Sequence, residues 1–209
     1  MARLLGAKCK YCLREGDKLF LKGYRCDTVK CAIERKSQES RKGGRTKRIR
    51  LTDYGKHLRE TQKLKRLYGI SQRQLKGYFA EASRLIGNTG ENLLRLLESR
   101  LDNVISEGGF APSRITARQL IVHSHVILNG RRASIPSIKV KPGDTIKPAG
   151  NETSTNMVKK YLESARKEQV PSWLRLSTEP AQLEVIQLPK RTDITTQINE
   201  QMVVEFCSR

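Results

Sequence analysis

The sequence predicts an α+β chain: an N-terminal four-cysteine metal knuckle with a basic arm, a helical domain, and a small domain of helices and a short sheet. Three observations carry that prediction. Four of the five cysteines fall within the first 31 residues, no proline occurs before Pro112, and after Pro112 short β-branched runs alternate with tight-turn dipeptides. The boundaries drawn from these changes are 1–45 for knuckle and arm, 46–92 for the helical domain completed by 190–209, and 93–189 for the last domain, whose core is 98–147.

The knuckle comes first. Its cysteines read Cys9-Lys-Tyr-Cys12, then thirteen residues, then Cys26-Asp-Thr-Val-Lys-Cys31. A tetrahedral metal needs ligand pairs on tight turns and a loop that brings the pairs together, and this spacing supplies both. Two disulfides would need an oxidising compartment. The N-terminus carries no long apolar segment of the kind a secretory signal needs, so a cytoplasmic location is expected. Cys9, Cys12, Cys26 and Cys31 are therefore the candidate ligands. Zn²⁺ is the default; a [4Fe–4S] cluster also takes four thiolates and stays open on spacing alone. The metal would be structural, because residues 1–34 are too few to bury a core without it. Cys207 stands apart and reads as a small packing residue.

The arm follows. The chain holds 41 Lys+Arg against 21 Asp+Glu, a formal net charge of +20. Like charges in a compact chain repel, so such an excess points to a polyanionic partner. The excess fades along the chain: net +11 over residues 1–50, +5 over 51–87, +4 over 88–150 and zero over 151–209. Generic solubilising charge would be spread evenly. The first three-quarters should face phosphate, and the last quarter protein or solvent. Residues 35–50, RKSQESRKGGRTKRIR, are half Lys or Arg and lack an apolar period before Ile49. They read as an extended or loosely ordered arm that orders against nucleic acid. Its candidate contacts are Arg35, Lys36, Arg41, Lys42, Arg45, Lys47, Arg48 and Arg50. Mean hydropathy is −0.58, and no apolar run approaches the roughly 20 residues of a membrane helix.

Residues 52–107 read as three helices. Thr52 caps the first, with Tyr54, Leu58, Leu64, Leu67 and Tyr68 inward and Gly69 ending it. Ser71 and Gln74 form a capping-box start for the second, whose stripe is Leu75, Phe79, Ala82 and Ile86 and whose end is Gly87. The third starts near Glu91, turns Leu93, Leu94, Leu97, Leu101, Val104 and Ile105 inward, and ends at Gly108-Gly109. The opposite faces carry Lys56, Arg59, Lys63, Lys65, Arg66, Arg73 and Lys76, and their single sign favours phosphate over bare solvation.

After Pro112, Ser113 caps a helix to about His123. Val126–Leu128, the turn Asn129-Gly130 and Arg131–Ile135 read as strand, turn and strand. Ile138–Val140 and Thr145–Lys147 flank the turn Lys141-Pro-Gly-Asp144. Residues 150–156 read as a polar connector, Met157, Tyr161, Leu162 and Ala165 as a helix, and Leu183–Leu188 as a strand. Asn199–Phe206 fits either a helix or a strand.

Residues 98–147 resemble the RNA-binding module named after ribosomal protein S-four. The marks are Arg100-Leu-Asp102, Ser113-Arg, Ala117-Arg-Gln-Leu-Ile, His123 and His125, Asn129-Gly130, Ile135-Pro-Ser137 and Val140-Lys-Pro-Gly-Asp144. The module also occurs in pseudouridine synthases and tyrosyl-tRNA synthetases. The knuckle, the GGRTKR arm, the helices from Leu51 to Gln74 and the terminal INEQMVVEF resemble the ribosomal protein S-four family itself, in its zinc-bearing branch, over essentially the whole chain. Ser124 departs from the glycine usual between the two histidines, which is expected to alter the local turn.

The resemblance implies a primary rRNA-binding protein of the small ribosomal subunit, not an enzyme, that nucleates assembly of the subunit body. It implies contact with neighbouring protein S-five affecting decoding accuracy and, in some members, repression of the protein's own operon through its mRNA. Within the module, Arg114, Arg118, Gln119 and His123 share a helix near one face. Arg131, Arg132, Lys139 and Lys141 lie in or beside the short strands and, with Arg100, complete the candidate RNA contacts. His123 and His125 read as local hydrogen bonders, not bases. Only 59 residues follow position 150, with no glycine-rich loop, nucleophile elbow or triad-like grouping, which argues against an RNA-modifying enzyme. No His pair or base-reading helix supports a zinc-dependent DNA regulator.

Overall fold

The computed structural model describes residues 6–40, 52–164, 170–194 and 198–208. It divides into two compact units, Met1–Gly90 with Gln197–Arg209, and Glu91–Thr196.

The first unit is helical. Helix α1 spans Lys8–Glu15, a 3₁₀ turn spans Gly23–Asp27, and α2 spans Ala32–Ser40. The first cysteine pair thus rides a helix, not a tight turn, and residues 35–40 are helical where an extended arm was expected. Helix α3, Asp53–Tyr68, begins where the Thr52 hydroxyl accepts from the Gly55 N–H and ends at Gly69, whose φ of 60° lies in the left-handed region that glycine enters without a Cβ penalty. Helix α4, Gln72–Ala82, opens on the complete Ser71–Gln74 capping box. It stops one turn earlier than expected, and Ile86 is fully exposed instead of inward. The C-terminal segment resolves as helix α9, Glu200–Ser208, which packs on α3 and α4. Leu64, Leu67, Tyr68, Leu75, Ala82 and Val203 are buried. Tyr54 is half-exposed, but its ring lies 5.8 Å from that of Phe206.

The second unit carries the sheet. The expected third helix is two: α5, Thr89–Glu98, and α6, Leu101–Glu107. Apolar periodicity continues through the break, so the cause is not local. Arg100 is extended and bridges Lys139, the Val140 N–H donates to the Ser99 carbonyl at 2.8 Å, and the Leu101 N–H donates to the Ile138 carbonyl at 2.8 Å. Those two bonds also explain why Ile138–Val140 is not a strand of the sheet. Helix α7, Arg114–Val122, has the expected Ser113 cap. Strands β1 (Val126–Leu128), β2 (Arg131–Ala133) and β3 (Thr145–Pro148) precede helix α8 (Glu152–Ser164), which takes up most of the expected connector. Strands β4 (Leu174–Thr178) and β5 (Ala181–Val185) complete a five-stranded sheet in the order β2-β1-β3-β5-β4. All pairings are antiparallel. Strand β4 was not expected, and β5 begins two residues and ends three residues earlier than read.

Register sorts the two faces. Leu128, Ile146, Leu183 and Leu176 stand in one cross-strand row. That row joins a core with Leu101, Val104, Ile105, Phe110, Ile121, Val158 and Trp173. Successive side chains alternate sides, so the neighbouring row, Arg132, Ile127 and Lys147, faces away from it.

Candidate nucleic-acid interface

The β1–β2 hairpin turns on Asn129 and Gly130, both at positive φ, 49° and 80°. This is the backbone of the tight turn that the Asn-Gly dipeptide favours. The turn is tied to the next one: Asn129 Nδ2 donates to Asp144 Oδ1 at 2.8 Å, and Asp144 Oδ2 accepts from the Lys141 N–H at 2.7 Å. Asn129 Oδ1 also accepts from the Thr145 N–H at 2.9 Å. One carboxylate therefore fixes the relation of the two turns that carry Arg131, Arg132 and Lys141.

The outer face of the sheet is polarised. Arg132 and Lys147 flank Ile127 at the β2–β1–β3 end, and Arg131, Arg132, Lys139, Lys141 and Lys147 are all exposed. Toward the other end Thr145 stands opposite Glu184, and Glu184 opposite Arg175, with Arg175 Nη1 3.6 Å from the Glu184 carboxylate. Among the described residues Arg132 and Lys147 have no carboxylate opposite them in the sheet, whereas Arg175 is balanced by Glu184. Lys147 was not among the expected contacts; its alternation with buried Ile146 was the signal.

Helix α7 behaves differently from expectation. Gln119 and His123 are exposed, as an interface needs. Arg118 turns inward, with Nε and Nη2 donating to Asp102 Oδ2 at 3.0 and 2.5 Å. Arg100, 2% exposed, donates to the same carboxylate through Nε at 3.0 Å and Nη2 at 2.8 Å. Arg114 donates to Glu107 at 2.8 Å and to Asn103 at 2.5 Å. Arg100 is therefore a core residue here and not a phosphate contact. Arg114 and Arg118 lock α7 onto α6 before anything else. A fork of fixed donors matches a carboxylate as well as a phosphate, and these carboxylates are nearer. His125 Nδ1 lies 2.9 Å from the buried Ser154 hydroxyl, a hydrogen-bonding role as expected but with a partner 29 residues away. Ser124 adopts φ 58°, so the turn keeps the conformation that glycine favours.

In the helical unit the expected contacts split similarly. Arg35, Lys36, Lys56 and Arg73 are exposed. Lys56 Nζ lies 2.8 Å from Asp53 and holds that carboxyl below its ordinary value. Arg66 is buried, and its ion pair with Glu15, whose side chain is 1% exposed, removes it from the interface. Arg66 also lies 5.0 Å over the Tyr11 ring, and burial lowers its pKa. Arg59 stands 3.7 Å from Glu15, and Lys63 stands 2.5 Å from Asp17. The Glu15 pairs strap α1 to α3, and the Asp17 pair holds the turn after α1 to the same helix. Arg41, Lys42, Arg45, Lys47, Arg48 and Arg50 lie outside the described residues.

The four cysteines line one pocket with Leu21, Lys22, Arg25 and Lys30. They arrive from α1, the 3₁₀ turn and the residue before α2. Burial pushes the Cys12 thiol up. A backbone hydrogen bond from Leu19 opposes the rise, and charge on Cys26, Cys9 and Cys31 adds to it. Burial raises Cys26 in the same way. A dication bound beside these thiols would reverse that direction. Among the described residues no group of three or more His, Cys, Asp or Glu side chains stands in an arrangement that holds an ion. No helix of the described residues is long and apolar enough to cross a membrane.

Comparison with known proteins reaches the whole chain. The sequence model of the ribosomal protein S4/S9 N-terminal domain matches residues 3–98, and that of the S4 domain matches residues 99–146. The small ribosomal subunit protein uS4 of Thermus thermophilus is 46% identical over 209 residues, covering all of both chains. Those of Heliobacterium modesticaldum, 46% identical, and Geotalea daltonii, 47% identical, also match along all of both chains. Identity at that level from end to end, with the two domain models meeting near the α5–α6 break, places this chain in the uS4 family of small ribosomal subunit proteins.

Proposed function

We propose that the chain is a structural constituent of the small ribosomal subunit, with no catalytic role, that grips folded rRNA through its cationic surfaces. The observation that carries the reading is the outward row of Arg132, Ile127 and Lys147, set beside the two turns joined through Asp144. Folded RNA is recognised by shape and phosphate, and a rigid cationic edge on a short sheet meets both demands. Phosphate contact releases counterions, so affinity falls steeply with salt. The ribosome is its place in the cell.

Finer readings follow from the family resemblance and the charge distribution. The neutral last quarter, net zero over residues 151–209, is the surface for a neighbouring ribosomal protein, S-five first among them. Binding early to the 5′ domain of the rRNA nucleates the subunit body, and binding to its own operon mRNA gives autorepression. Cys9, Cys12, Cys26 and Cys31 hold one structural Zn²⁺, which supplies the cross-link that a segment this short lacks.

The test is salt-resolved binding to small-subunit rRNA fragments, with unrelated structured RNA and duplex DNA as competitors. Preference for one 5′-domain junction and a steep salt slope support the reading. Equal affinity for every polyanion overturns it.

A further inference from the structure

The loop between the cysteine pairs holds an aromatic surface that neither the metal site nor the sheet interface uses. Leu19 and Leu21 are 2% and 5% exposed, yet Phe20 between them is 48% exposed. Its φ is 49°, in the left-handed region that a bulky side chain rarely enters. Its carbonyl accepts from the Gly23 N–H at 3.5 Å, closing a turn. The backbone therefore carries a strained residue whose effect is to hold a large ring in solvent, and such strain gathers where a surface is used. Tyr24, 39% exposed, follows in the adjoining 3₁₀ turn, with exposed Lys22 before it and Arg25 after it.

A partner that fits this surface presents a flat apolar face together with negative charge. An unstacked nucleotide does so: the base offers the face and its phosphates the charge. We propose that Phe20, with Tyr24 in the next turn, is a stacking platform for an unpaired base of the bound RNA, whose flanking phosphates meet Lys22 and Arg25. The proposal rests on the rRNA-binding reading and adds a nucleotide-specific contact to it. A protein partner on the same surface is the competing occupant, which the surrounding cations disfavour.

The experiment uses the full-length chain and a transcript of the small-subunit rRNA 5′ domain, titrated at several salt concentrations. Phe20→Ala is expected to weaken binding about tenfold, because one base–aromatic stack is lost, with the slope of log K against log salt unchanged. Lys22→Ala is expected to reduce that slope by about one instead. Phe20→Trp restores affinity. Chemical probing shows one unpaired nucleotide protected by the unmodified chain and by Phe20→Trp but not by Phe20→Ala. Should Phe20→Ala fold poorly, Phe20→Gly adopts the same φ without strain and takes its place. Unaltered affinity in Phe20→Ala overturns the proposal alone, as does full recovery by Phe20→Leu, which keeps apolar bulk without a ring. Failure of the unmodified chain to bind the transcript overturns the rRNA reading with it.

Discussion

Asp102 is 2% exposed and accepts hydrogen bonds from two guanidinium groups, those of Arg100 and Arg118. Asp102→Asn keeps the shape and removes the charge. Both arginines then lose the carboxylate they share, and the Arg100 and Arg118 side chains are only 3% and 16% exposed, so water replaces it poorly. Breaking a buried pair from one side costs about 3–5 kcal/mol. At about 4 kcal/mol, and roughly 4–8 °C per kcal/mol for a domain of this size, the melting temperature of the sheet-bearing unit falls by roughly 15–30 °C. Trp173, the chain's single tryptophan, is 1% exposed in that unit, so denaturant unfolding followed by its fluorescence reads the loss directly. Replacing Arg100, Asp102 and Arg118 together by leucine is expected to cost less than Asp102→Asn alone, because no unbalanced charge remains buried. A loss under about 1 kcal/mol for Asp102→Asn would show that the cluster is solvated, contrary to its burial.

Three further outcomes are expected. Arg132→Ala weakens rRNA binding and lowers the salt slope by about one in a filter-binding titration, while Arg175→Ala, already balanced by Glu184, leaves both unchanged. Gly108→Ala destabilises by about 1–3 kcal/mol in the same Trp173 assay, because its Cβ would overlap Cδ1 of Leu183, a side chain with no exposed surface in which to retreat. Cys9→Ala abolishes bound zinc, measured by elemental analysis of the purified chain, and removes hydrogen-exchange protection from residues 8–36 but not from the sheet; full retention of the metal refutes the ligand assignment.

The parts of this fold that were legible in the sequence are those decided by neighbours a few residues away. Thr52, Ser71 with Gln74, Gly69 and Ser113 each mark a helix end through a local hydrogen bond or a left-handed φ, and the structure places them there. Asn129-Gly130 likewise fixed its hairpin. What stayed hidden depends on distant partners. The α5–α6 break is imposed by backbone 37 to 41 residues downstream, against an apolar period that runs straight through it. Strand β4 carries the alternating pair Leu174 and Leu176, but so short a run beside Pro171 gains strand character only from β5. The candidate interface divides along the same line. Net charge located the cationic surface, whereas composition gave no sign that Arg66 faces Glu15, 51 residues away, or that Arg118 faces Asp102.

The stretch from Ser134 to Lys141 belongs to no strand or helix, yet it has little freedom in length. Its carbonyls and amides are stitched to Ser99, Leu101 and Asp102, where the Asp102 N–H donates to the Pro136 carbonyl at 3.2 Å. Inserting or deleting a single amino acid there would offset Lys139 and Lys141 from the hairpin while also unpinning the start of α6. Evolutionary gaps, and engineered tags, should find room elsewhere: this coil is as intolerant of indels as the strands around it.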